Sequence, residues 1–423
     1  MKPLLICFLI FIAVISSVLS WHNMIYQADS LPSFYKDEVA NVQDAVSFFA
    51  NGVYKNDRYG LAYTSGIAVT WPSAIGWYIG HNMLASRLAC AFFSWLFGIL
   101  LGFWFFRRNK YTSLESITAA VCLWGLTITT PFALPYWFGF MYNLGELNTI
   151  ILIVFGLFLL SKHPMLSTFI FGISLWQGKF IYSPLVWAIL LGNIFSQKLS
   201  TKRMLTSFLV HIVVFLLPLF IWMGWIFLRF DILMIKQWLF DELSWLNSNK
   251  AVHAPAVSSM KFSLGALKER LSSSDFEWVS YTLGTKMKNL WFSFGAIGAT
   301  LMGLIMAKKK ILSISDREKW ISIMASIGIG FYSVLYFFIR PYMWQRYFHP
   351  AIYTGFGLFV FWFLKWIRKS SLNLKPLFYA AAFFLIILQG ISAVKHPILQ
   401  PKTSYARSCT DLYSAKCDPT LYK

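Results

Sequence analysis

The 423-residue chain is 57% hydrophobic and 19% aromatic, with only 13% charged residues and a formal charge of +20. Soluble domains carry about 25% charged residues, so this composition excludes an ordinary soluble domain and places the chain in the membrane class. The basic excess would suggest a nucleic-acid binder, but sorting it by side gives 17 basic and three acidic residues on inner segments, against 20 and 14 on outer ones. That is the positive-inside bias that fixes orientation.

A spanning helix needs roughly 20 apolar residues. About eleven runs are candidates: 3–21, 84–106, 114–131, 147–161, 165–178, 181–196, 205–228, 289–307, 320–339, 349–364 and 377–394. The fold class expected is therefore an all-α integral membrane protein, residues 1–394, with interfacial helices on the extracytoplasmic face. Residues 395–423 form a polar extracytoplasmic tail.

The first run carries Lys2, an apolar core and Ser17-Val-Leu-Ser20. It reads as a retained span rather than a cleaved leader, because it is long enough to cross. With the amino terminus inside, the loop 22–83 lies outside. It contains the adjacent acids Asp37 and Glu38. Val39, Val42, Val46 and Phe49 then recur at helical spacing, with Asp37, Asn41, Asp44 and Asn51 opposite. This pattern predicts an amphipathic helix in the interface, its apolar side to lipid and its acids, Asp44 included, to water.

Ionisable groups at membrane depth are expensive and invite functional hypotheses. Arg87 opens the second span, Glu146 opens the fourth, and Lys179 lies between the fifth and sixth. His211, on an apolar run, reads as structural. The second outer loop, 229–288, opens with Asp231 to Leu246, where Trp238, Glu242 and Trp245 share one face of a second interfacial helix. Residues 247–260 read as a lid-like loop. Arg340, Arg346 and His349 cluster before the tenth span. All these charges fall at outer ends of spans, on the side of Asp37.

Cys7, Cys90 and Cys122 lie in spans as small apolar filler. Cys409 and Cys417 lie in the outer tail and can pair in an oxidising compartment. Metal-type Cys/His spacing is absent.

The ordered strings Asp37–Glu38, Tyr63-Thr-Ser-Gly66, Trp71-Pro-Ser73, Ser86-Arg-Leu-Ala89, Asn143-Leu-Gly-Glu-Leu-Asn148, Gly172-Ile-Ser-Leu-Trp-Gln-Gly-Lys-Phe180 and Trp344-Gln-Arg-Tyr-Phe-His-Pro350 resemble the GT-C superfamily. These are polytopic glycosyltransferases such as protein O-mannosyltransferases and aminoarabinose transferases. The chain departs from many relatives in having Trp71-Pro72-Ser73 where they have Pro-Pro, and Gly145-Glu146 where some have Gly-Gln.

The resemblance implies a multi-pass enzyme of a bacterial inner membrane with its site facing the periplasm or outside. It implies a polyprenyl-phosphate sugar donor and a glycan, lipid or protein acceptor. Asp37 is then the general base, with Glu38 an orienting or metal-contacting partner. Arg346, Lys179, Arg340, His349, Glu146 and Arg87 would serve donor phosphate and substrate. A divalent metal is left open, and nothing in the sequence requires one.

Each residue also has a plainer reading: acids that suit a helix start, or arginines that snorkel to the interface. The rival functions are a secondary transporter or lipid flippase, and a lipid-linked glycan ligase or polymerase. The lack of an internal repeat weighs against the transporter, since many transporters are built from doubled halves. A ligase would centre its chemistry on the 229–288 loop, including His253.

Overall fold

A computed structural model describes residues 37–57, 60–61, 63, 65–108, 112–114, 116–117, 120–121, 145–241, 243–244, 276–339, 405–414 and 417, with scattered positions between 7 and 25 and between 351 and 391. Secondary structure in these residues is helical. The exception is an isolated antiparallel bridge joining Asn56 and Gly60.

The helices are α1 (Asp37–Asn51), α2 (Ile67–Gly80), α3 (Met83–Arg108), α4 (Glu146–Leu159), α5 (Pro164–Trp176), α6 (Ser183–Phe195), α7 (Thr201–Arg229), α8 (Phe276–Lys308), α9 (Asp316–Ile339) and the single turn α10 (Tyr405–Ser408). A further helix covers 232–241. Local chemistry sets several of the boundaries. α2 stops where His81 turns left-handed at φ 48°. Asn82 then caps α3, its Oδ1 accepting the Ala85 N–H at 2.8 Å, which satisfies one orphan donor of the first turn. α5 begins with Pro164, whose missing N–H costs nothing there.

The chain folds as two compact units. The first comprises Met1–Lys179, Pro218–Glu242 and Asn373–Lys423, and the second Phe180–Leu217 and Leu243–Leu372. In the first, α3 and α4 run parallel. Ser94 Oγ donates to Asn148 Oδ1 at 2.8 Å near one end. At the other end, Arg108 donates to Phe158 O at 3.2 Å and to Ser161 Oγ at 2.9 Å. α2 packs against α1 and α3, and α5 against α4. Gly156 leaves room there for the Phe171 ring.

In the second unit, α6 lies closely along α9. A Cβ on Gly192 would lie 2.8 Å from both Ile321 Cα and Trp320 O, so the two backbones meet with no room for a side chain. Small residues permit this close approach between apolar helices. Ser293 and Ser333 link α8 to α9 at 2.7 Å. Lys198 pairs with Asp316 at 2.5 Å on the exposed side.

α3 and α7 are the two described helices long and apolar enough to cross a membrane. Leu205, Leu209, Val213, Leu217, Phe220 and Leu228 stand exposed along α7, a surface suited to lipid rather than water. The expected spans at 147–161, 165–178 and 181–196 are helical but hold only 14, 13 and 13 residues. That is about 20 Å of helix, against a hydrocarbon core of about 30 Å. The runs at 289–307 and 320–339 lie inside α8 and α9. Those at 3–21, 114–131, 349–364 and 377–394 fall largely outside the described residues.

Residues 67–80, within the segment 22–83 expected outside, form the helix α2, and α8 begins at Phe276 rather than near 289. α1 is helical as expected, but much of its surface is covered by protein. Asn41 and Asp44, assigned to water, are 0% and 1% exposed, and Val39 and Val42, assigned to lipid, are 7% and 0% exposed. The cause is that other chain segments cover the polar side of α1 and satisfy it, as described next. In the tail, Cys409, Leu412 and Cys417 are buried against α1 and α2.

Candidate functional site

α1 carries the acid pair at its first turn, where the helix dipole favours negative charge. The side chain of Asp37 lies outside the described residues. Glu38, next to it, is fixed: its Oε1 and Oε2 accept Arg87 Nε and Nη2 on α3, each at 2.6 Å. The pair is bidentate, and its side chains are 1% and 0% exposed. Two of the expected site residues are thus brought together, and Arg87, expected at the donor phosphate, closes its fork on Glu38. Removing one partner of such a pair would strand a buried charge at a cost of about 3–5 kcal/mol.

The rest of α1 is tied down by amides. Gln43 Nε2 donates to Asp57 Oδ2 at 2.9 Å and to Leu412 O at 3.0 Å, and Gln43 Oε1 accepts the Asp57 N–H at 3.0 Å. Asp44 Oδ1 accepts from Asn56 Nδ2 at 2.9 Å. The polar side of α1 therefore faces the 52–66 segment and the tail instead of bulk water.

A second locality forms where α2 and α4 begin. Gly145, at φ 73°, precedes α4, and a Cβ there would sit 2.6 Å from the Val69 side chain. A left-handed, crowded position of this kind needs glycine. Next to it Glu146 is 2% exposed at the first turn of α4. Asn148 Nδ2 donates to Val69 O at 2.7 Å, joining α4 to α2.

The turn after α5 comes to the same place. Gly66 N–H donates to Gln177 O at 2.7 Å, and Gly178 abuts Thr149 of α4. Lys179 follows directly. Glu146 and Lys179 are thus on two neighbouring strings of one cluster. Along α3, Arg87 and Ser94 are seven residues apart, so they share a face roughly 10 Å apart. Because Ser94 bonds Asn148, the Glu38–Arg87 pair and the Glu146 helix start lie towards the same end of α3. Arg107 and Arg108 occupy the opposite end.

Aromatic rings line the base of the 52–66 segment. Tyr54 stacks on Phe48 at 5.0 Å and meets Tyr63 and Trp222 at 4.4 and 4.7 Å. The Tyr54 hydroxyl donates to Gln177 Oε1 at 2.8 Å and accepts the Ile67 N–H at 2.7 Å. Burial raises its pKa well above the ordinary 10.0, with the neighbouring Tyr63 adding to the effect.

Sequence reasoning missed Gln43, Tyr54 and Asn56 as organising residues. Gly66, Tyr63 and Gln177 did lie in the strings that carry the family resemblance, and the structure puts those strings in contact. Arg340, Arg346, His349 and His253 fall outside the described residues. Among the described residues, no three His, Cys, Asp or Glu side chains converge on a metal-sized point.

Comparison with family models, curated proteins and solved structures returns no match for this chain.

Proposed function

We propose that the protein is a GT-C-like membrane glycosyltransferase that moves a sugar from a polyprenyl-phosphate carrier to an extracytoplasmic acceptor. The observation that carries this reading is the buried Glu38–Arg87 clamp, which fixes the orientation of the helix turn bearing Asp37. In the reaction, the acceptor hydroxyl attacks the anomeric carbon and gives its proton to the Asp37 carboxylate. The bond from that carbon to the phosphate oxygen breaks, and its electron pair leaves with polyprenyl phosphate, so the configuration inverts. Negative charge gathers on the leaving phosphate, where cationic groups are needed. Arg346, Arg340, Lys179 and His349 supply them, Arg by a bidentate fork. Glu146 contacts the acceptor or the sugar.

About eleven spans, an inner-membrane location and a site on the outer face belong to this proposal. The docking of the tail on α1 supports it. Both must occupy one side, so the chain between them crosses an even number of times, and the ten runs after the first satisfy that. The test is direct. Proteoliposomes holding the full chain, given polyprenyl phosphate loaded with a radiolabelled sugar, should release the lipid phosphate and form a labelled product with an added acceptor. Labelled solute accumulating inside the vesicles with no glycosyl product would replace this reading with transport.

A further inference from the structure

We infer that the disulfide-closed carboxyl-terminal loop is a strap that holds α1 against the outer end of α3, and that it locks only where thiols are oxidised. Cys409 and Cys417 are joined, with their Cα atoms 4.6 Å apart. Both cysteines belong to one buried cluster with Val39 and Val42 of α1, Trp77 of α2 and Met83 of α3. Two further bonds seat the loop: Met83 N–H donates to Cys409 O at 3.0 Å, and Gln43 Nε2 donates to Leu412 O at 3.0 Å.

These contacts surround the acid clamp. Val39 follows Glu38 in α1, and Met83 lies one turn before Arg87 on the same face of α3. Gln43 is shared by the strap, through Leu412 O, and by the 52–66 segment, through Asp57. The strap thus closes a ring of three segments around the first two turns of α1.

The loop cannot hold itself there by burial alone. Its large apolar side chains are Leu412 and Tyr413, and Tyr413 is 63% exposed. Leu412 therefore provides most of the apolar contact beyond the sulfurs, too little to offset the backbone entropy of ordering nine residues. A cross-link removes much of that entropy from the undocked loop beforehand. Locking oxidises two thiols to one disulfide. Two electrons and two protons pass to an oxidant of the disulfide class, which leaves as a dithiol. The oxidising side of a membrane supplies such chemistry, so α1 matures on that side. This inference holds whether or not the protein transfers sugar.

Hydrogen exchange on the full chain in detergent tests the strap. In the variant Cys409→Ser/Cys417→Ser, the amides of residues 38–46 should exchange at least tenfold faster than in the wild type, while those of α6 and α9 keep their rates. Leu412→Ala keeps the disulfide and should accelerate the same amides by a smaller factor above twofold. If the double variant is not recovered folded, Leu412→Ala decides. Rates for residues 38–46 within twofold of wild type would overturn the strap. So would alkylation of Cys409 and Cys417 by a maleimide, without reductant, in protein isolated from cells.

Discussion

Glu38 and Arg87 direct their charges at each other, and this governs what substitutions at the clamp should do. Glu38→Gln leaves a guanidinium buried without its counter-charge, so it should cost about 3–5 kcal/mol of stability, and Arg87→Leu should cost a similar amount. Replacing both together with apolar residues of similar volume should cost much less than the two single changes added. Thermal melts of the four proteins in detergent give the coupling, and additive losses would show that the two side chains act independently. Tyr54 gives a separate residue-scale test. Its hydroxyl stays protonated in the fold well above 10.0, whereas in the unfolded chain it ionises near pH 10. The unfolded state therefore loses a proton that the fold retains, and stability falls as pH rises past the unfolded value towards the folded one. Tyr54→Phe should flatten that alkaline fall while lowering stability at neutral pH by about 1–3 kcal/mol, through the donors and acceptors it leaves unpaired. Alkaline melts followed by tyrosinate absorbance read both effects.

At the scale of elements, helical periodicity in residues 37–51 was enough to predict α1, and acids at its start agreed with the dipole. Its environment was not legible, because a 3.6-residue pattern says which faces differ but not what will cover them. The cover comes from Asp57, Asn56 and Leu412, the last lying 369 residues away in sequence. No local signal encodes such a partner. The α3 span was legible nearly to the residue, since a long apolar run ending in Arg107 and Arg108 has little alternative. α2 was missed because its 14 residues are too few to span and contain Pro72, both marks of a loop. Packing between α6 and α9 supplies a prediction at this scale. Gly192→Ala places a methyl against Ile321 and Trp320 backbone and should destabilise by about 1–3 kcal/mol. Gly224→Ala in α7 meets nothing within 4 Å and should be neutral or mildly stabilising, by up to about 1 kcal/mol. Equal melting temperatures for the two variants would contradict the close approach of α6 and α9.

For the whole molecule, orientation and chemistry depend on the same asymmetry. Basic residues gather at the Arg107–Arg108 end of α3, while Glu38, Arg87, Glu146 and the disulfide-closed tail gather towards the other. Composition made the membrane class and this charge bias readable. The convergence of Glu146 and Lys179 on the start of α2 was only hinted at by the order of the motifs, because contacts among residues 66, 149, 177 and 178 require the tertiary fold. The proposed chemistry rests finally on one carboxylate. The most direct measurement compares steady-state sugar transfer by the wild type and Asp37→Asn, both reconstituted and shown to melt at the same temperature. Loss of a general base should lower kcat by about 10²- to 10⁴-fold, with KM for the lipid donor little changed. Transfer by Asp37→Asn at the wild-type rate would contradict the account.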